Sequence, residues 1–168
     1  FIWLDQVLML LNEHMEQDGG HDLAHIERVL VNARTIADGE AARGETLRWD
    51  AIAAAVLLHD LINLPKNHPE RHLASLKSAD ASVAALEDVF DQAGLGLIHE
   101  AIRTHSYSSG LVPESLEAKI VTDADRLEAI GAFGVARTFY VSGMLKRSIV
   151  NMDEPFGGER ELDDAEYG

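Results

Sequence analysis

Residues 51–67 read AIAAAVLLHDLINLPKN. From Ala51 to Leu58 every residue is apolar, and a helix that is apolar all round is buried on all sides. Asp50, just before it, is the expected N-cap, because its carboxylate accepts from the free N–H groups of a first turn. Asn63, Leu64 and Pro65 are expected to stop the helix, with Lys66, Asn67, His68 and Arg71 in a polar loop beyond. At the end of the buried run stand His59 and Asp60. Polar groups at such depth are costly unless something satisfies them. A divalent cation would satisfy both, since neutral imidazole and carboxylate are good ligands for it. Neighbouring helical residues point about 100° apart, yet both side chains can converge on one ion beside the helix. Taken alone, the pair reads as a hydrogen-bonded polar pair at a helix end, so further ligands must come from elsewhere in the chain.

Composition narrows the classes. At 168 residues the chain suits one domain with a real core, and we expect a single domain over 1–168. With 46% hydrophobic and 26% charged residues it has the make-up of a soluble globular protein. No apolar run approaches a membrane span. The apolar start, Phe1 to Leu11, carries Asp5, Gln6 and Asn12 at helical spacing, so it reads as an amphipathic helix and not a signal peptide. Without an initiator Met, a trimmed start is expected. There are no cysteines, which excludes a disulfide framework and a thiolate zinc site. A cytoplasmic location fits. The net charge of −15 argues against nucleic acid as a partner, which needs a basic stripe. Residues 151–168 hold seven acids against Arg160. This acidic tail ends without a final helix, so an incomplete C-terminus is expected.

Periodicity predicts helices throughout. Phe1 to Glu16 has a broad apolar face and ends at Asp18-Gly19-Gly20. A second helix opens at His21 or Asp22 and runs to about Ala41, stopping near Gly44. Its core stripe is Leu23, Ile26, Leu30, Ala33 and Ala37, flanked by Val29 and Ile36, with His25 beside it. Ser78 is the expected cap of a helix through Phe90, broken at Gly94 and Gly96. Leu97 to His105 forms a shorter helix, and Ser106 to Pro113 a loop. Ser115 begins a helix that contains Lys119 to Leu127. Gly131 and Gly134 interrupt the next stretch or permit close packing, through Met144. No strand alternation, internal repeat or linker stands out.

Three separate helices thus offer ligands: His25, the pair His59-Asp60, and Asp123 or Asp125. The ordered set His … His-Asp … Asp resembles the HD superfamily of metal-dependent phosphohydrolases. His25-Ile-Glu-Arg-Val is similar to the family's first motif, Leu58-His59-Asp60 to the HD motif itself, and Asp123-Ala-Asp125-Arg-Leu127 to its last. The stretches LINLPKNHPER, IRTHSYS and KIVTDADRLEAIGAFGVAR look closest to the bacterial YedJ/YpgQ-type branch, over roughly residues 5 to 165. The resemblance implies an all-α HD-domain helical bundle with a metal site between helices. It implies one divalent ion (Mn, Mg, Ni, Co, Fe or Zn) held by His25, His59, Asp60 and Asp125, with Asp123 the runner-up in the last motif.

The implied chemistry is metal-activated attack of water on phosphorus, because a divalent ion acidifies water and neutralises phosphoryl oxygens. Asp60 both ligates and accepts a proton in this reading. Lys66 and Arg71, in the loop after the HD pair, are candidates to bind phosphate. Some HD enzymes use extra histidines between the HD pair and the last Asp, which makes His105 a catalytic candidate and His99 a substrate-binding one. Arg28 and Arg126 are expected to pair with acids near the ligands and orient them. The partner is a small phosphorylated substrate, by resemblance a nucleoside triphosphate cleaved to monophosphate and pyrophosphate. A phosphomonoesterase, a phosphodiesterase and a non-catalytic nucleotide- or metal-binding module are the alternatives. No glycine-rich loop with Lys-Ser or Lys-Thr is present, which disfavours a P-loop enzyme. Only 6% of residues are aromatic, and the sequence offers no obvious platform for stacking a base.

Overall fold

The computed structural model describes residues 2–14, 23–64 and 68–147. The chain divides into two compact units, Phe1–Glu128 and Ala129–Gly168. The first contains α1 (Ile2–His14), α2 (Leu23–Ala42), α3 (Trp49–Leu58), α4 (Ala74–Leu86), α5 (Gln92–His105) and α6 (Leu116–Arg126). The second contains α7 (Gly131–Met144). No strand occurs among the described residues, in keeping with the all-α expectation. Lys66, Pro65, Asn67 and the acidic tail lie outside the described residues.

Helix α3 is the axis of the first unit. It packs against α1, α2, α4, α5 and α6, and Ala51 through Val56 and Leu58 are all buried. Five alanines and valines in one turn-and-a-half keep it thin, so five helices reach it. On α2 the buried positions are His25, Ile26, Val29, Ala33 and Ala37. The stripe is therefore rotated from the expected one: Leu23 is exposed and Val29 is fully inside. That rotation carries His25 from the edge of the core into it.

Several boundaries differ from the sequence reading. Helix α3 begins at Trp49 with Arg48 in the cap position, and Asp50 sits in its first turn, paired with the Arg48 guanidinium. The helix ends at Leu58, before the expected Asn63, because Ser78 of α4 takes over the backbone of the next turn. The Ile62 N–H donates to Ser78 Oγ at 3.0 Å, and that hydroxyl donates to the Ile62 carbonyl at 3.3 Å. Ser78 is thus buried inside α4 and is not its cap. Helix α5 starts at Gln92 and passes through Gly94 and Gly96, because Asp91 caps it by accepting from the Gly94 N–H at 2.7 Å. The fit at Gly94 is tight: a Cβ would stand 3.0 Å from Arg48 Nη2, Asp91 Oδ1 and Phe90 Cδ1, and those side chains would have to give. Ser115 caps α6 as expected, accepting from the Ala118 N–H at 3.1 Å.

The helix ends away from the ligands are tied by Arg48. Its guanidinium bonds Asp50 and Asp91, and its N–H donates to the buried Glu117 carboxylate at 3.0 Å. The starts of α3, α5 and α6 are held by this one residue. In the second unit, Gly131 has φ +65°, and a Cβ on Gly134 would overlap the Ala129 carbonyl. That is the close packing expected of this pair of glycines.

Truncation of the axis should be felt. Leu58→Ala leaves a cavity beside fully buried neighbours and is expected to cost about 2–5 kcal/mol in urea denaturation. Met9→Ala, at a side chain 64% exposed, should stay within about 0.5 kcal/mol. Equal losses at the two positions would mean that α3 is not the core.

Candidate metal centre

The unwinding at Leu58 releases His59 and Asp60 into a turn whose two side chains meet. His59 Nε2 lies 3.3 Å from Asp60 Oδ2. The first turn of α2 brings His25, whose Nε2 is 3.4 Å from His59 Nε2. The end of α6 brings Asp125, with Oδ1 at 3.5 Å from His25 Nε2 and 3.8 Å from His59 Nε2. The last residue of α5, His105, points its Nε2 at Asp60 Oδ1 from 3.6 Å. Two overlapping sets, His25–His59–Asp60 and His59–His105–Asp125, each keep their donor atoms within 4.8 Å of one another. The three imidazoles are buried, while Asp60 and Asp125 are 27% and 23% exposed. The cluster therefore opens to solvent on its carboxylate side.

Backbone carbonyls set the tautomers. A carbonyl only accepts, so His59 Nδ1–H donates to Val56 O at 2.8 Å and His105 Nδ1–H to Ile102 O at 2.6 Å. Each bond turns the other ring nitrogen, Nε2, toward the carboxylates. His25 Nδ1 faces Glu128 Oε2 at 3.7 Å, and that carboxylate receives Arg28 Nε at 2.6 Å. Glu128 is the acid Arg28 was expected to find. Sequence reading passed over Glu128 itself, although it lies on the same short stretch as Asp125, three residues on. Asn32 Nδ2 adds a bond to Ala124 O at 3.3 Å, which ties α2 to the backbone beside Asp125.

These residues fit a divalent cation. Two nitrogen lone pairs aimed at each other across 3.4 Å repel unless a proton or a cation lies between them. Ligands about 2.0–2.2 Å from a common ion stand about 3–3.5 Å apart, the spacing seen here. The donor set, imidazole nitrogen and carboxylate oxygen, suits first-row divalent metals.

In the metal-free protein the neighbouring acids favour a protonated His59. Burial alone would lower the His59 pKa. The Asp60 charge and hydrogen bond, the Asp125 charge and the Val56 carbonyl outweigh burial and raise it to about 9. Burial likewise pushes Asp60 up, but the His59 charge and hydrogen bonds from His105 and His59 hold its carboxyl well below the usual range.

The other candidates are placed as follows. Asp123 is exposed, on the outer side of α6. His99 Nε2 pairs with Asp80 of α4 at 2.9 Å and is not part of the cluster. The Arg71 guanidinium donates to the Leu64 carbonyl, fastening the loop that follows Asp60. Lys66 lies within that loop, outside the described residues. Arg126 was expected to pair with an acid; among the described residues its partner is the face of the Tyr107 ring, with Cζ 5.8 Å from the centroid.

Comparison with known proteins identifies the family of the fold. The HD domain model matches residues 22–130. The chain is 32% identical over 155 residues to YpgQ of Bacillus subtilis, covering 84% of this chain and 63% of that protein. Among solved structures, a protein of Lactobacillus plantarum superposes with a TM-score of 0.70 at 29% identity, over 96% of this chain and 71% of that one. B. subtilis YpgQ in complex with ADP gives 0.62 at 28% identity, over 90% and 72%. A predicted HD superfamily hydrolase from an uncultured Thermotogales bacterium gives 0.57 at 30%, over 84% and 76%. The chain belongs to the HD-domain family, a superfamily of metal-dependent phosphohydrolases. It spans somewhat under two thirds of the curated relative.

Two measurements follow. A pKa raised from about 6.5 unfolded to about 9 folded stabilises the fold fully below pH 6.5, and that gain is lost as pH rises to 9. The same proton competes with a metal for His59 Nε2. Chelator-treated protein should therefore lose Tm from pH 6.5 to 9 while metal affinity rises, about tenfold per pH unit for one proton released. An affinity independent of pH would remove His59 as a ligand. Second, Glu128→Gln should weaken metal binding about 10–100-fold, measured by competition with a chromogenic chelator. Wild-type affinity would show that Glu128 serves only Arg28.

Proposed function

We propose that the protein is a metal-dependent phosphohydrolase that cleaves nucleoside triphosphates to monophosphate and pyrophosphate. The observation that carries this is the convergence of His25, His59, Asp60, His105 and Asp125 from the ends of separate helices, open on the side of the two carboxylates. The choice of a nucleotide is supported by the likeness to YpgQ, one of whose structures holds ADP.

In this reading His25, His59, Asp60 and Asp125 hold one divalent ion (Mn, Mg, Ni, Co, Fe or Zn). Such an ion lowers the pKa of bound water and neutralises phosphoryl oxygens. The protein supplies the rest. Val56 and Ile102 carbonyls keep both imidazoles turned with Nε2 inward. The three buried imidazoles exclude bulk water, and the partly exposed Asp60 and Asp125 leave the carboxylates for substrate. Asp60 Oδ1 accepts the proton of the attacking water and, 3.6 Å away, His105 Nε2 takes it on. Water oxygen bonds to the α-phosphorus, the bond from that phosphorus to the bridging oxygen breaks, and pyrophosphate leaves. Arg71 shapes the loop past Asp60, from which Lys66 is assigned to the phosphates. His99, paired with Asp80, is assigned at most to the outer edge of the substrate.

The test is an assay of chelator-stripped protein with Mn²⁺, Mg²⁺, Ni²⁺, Co²⁺, Fe²⁺ or Zn²⁺, reading phosphate and pyrophosphate separately. Metal-dependent pyrophosphate from nucleoside triphosphates is expected, and Asp60→Ala should lower turnover by about 10³-fold or more with metal lost. Phosphate released from monophosphates would instead make it a phosphomonoesterase. Full activity in a metal-poor Asp60→Ala protein would sink the metal assignment.

A further inference from the structure

Tyr107 is 67% exposed, in a chain with few aromatic residues. A ring so open to water adds little to a core. Its position is the notable fact. It lies two residues past His105, so the two Cα atoms are at most about 7 Å apart. Arg126, whose guanidinium lies over the ring at 5.8 Å, directly follows Asp125. The short turn Tyr107–Ser109 packs against the turn Arg71–Leu73, which ends the loop begun at Asp60. The segments that follow His105 and Asp125 thus meet at this ring.

The turn holding the ring is built to stay in place. The Ser109 N–H donates to Ser106 O at 3.2 Å and the Gly110 N–H to Tyr107 O at 3.3 Å. Gly110, at φ +64°, closes it in a conformation that favours glycine. Arg126 occupies one face of the ring, and the large remaining exposure leaves the other face open. An exposed aromatic face backed by a cation is what a nucleobase stacks on. Both supports of the ring adjoin the cluster in the chain: its turn follows His105, and Arg126 follows Asp125.

We propose that Tyr107, oriented by Arg126, is the stacking platform for the base of the nucleotide. The inference rests on the nucleotide phosphohydrolase reading and assigns the nucleoside half of its substrate. Stacking tolerates any base, because every base has a π-face. The platform therefore confers a preference for nucleotides over bare polyphosphates, with weak discrimination among bases.

The experiment is calorimetric titration of the metal-loaded protein with two non-hydrolysable probes. One is α,β-methylene-ADP; the other is methylenediphosphonate, the same anion without the nucleoside. Wild type should bind the nucleotide more tightly. Tyr107→Ala should weaken α,β-methylene-ADP by about tenfold and leave methylenediphosphonate unchanged, and Tyr107→Phe should keep wild-type affinity for both. Equal affinity of wild type for the two probes, or a Tyr107→Ala protein that binds both as wild type does, would overturn the platform while the phosphohydrolase reading stands. A parallel loss of both probes in Tyr107→Ala would also overturn it, as damage to the metal site. Failure of wild type to bind either would overturn the parent reading.

Discussion

An imidazole and a carboxylate at the end of an apolar helix must be satisfied, or the helix cannot be buried. Everything around α3 answers that requirement. The helix is narrow enough for five neighbours, and those neighbours bring His25, His105 and Asp125 to the point where it unwinds. The carbonyls of the last turns of α3 and α5 bind the Nδ1–H groups of His59 and His105. The ligands thereby cap their own helices, and the open backbone groups of a helix end are met by the side chains that need orienting.

The bundle has two ends with different work. At one end Arg48 joins the starts of α3, α5 and α6 through Asp50, Asp91 and Glu117. At the other, the same three helices finish beside the cluster. Spacing at the cluster then follows from helix lengths and from Arg48, while the turn carrying Asp60 is fixed separately by Ser78. At the chemical end the Arg28–Glu128 ion pair faces His25.

The helical content, the Ser115 cap and the ordered His, His-Asp and Asp motifs were legible in the sequence, because each rests on local pattern. The end of α3 was not. Leu61-Ile62 continues the apolar run, and only Ser78, sixteen residues on, takes the Ile62 backbone away from the helix. The start of α5 was hidden by Gly94 and Gly96, which read as breakers, whereas Asp91 caps the helix and closes tightly on Gly94. The small rotation of α2 that buries His25 depends on packing against α3 and α6 and leaves no mark in α2 alone. Tyr107 was missed because a lone aromatic in a loop has no period, and its meaning comes from Arg126, nineteen residues later.

The convergence of α3, α5 and α6 by their last residues has an electrostatic consequence. Each helix C-terminus carries the negative pole of its macrodipole, about half an elementary charge, and three of them face the cluster, while only α2 enters by its positive pole. Together with Asp60 and Asp125 they make the centre attractive to cations. A cation held there offsets this field, which readies the centre for a phosphate oxygen.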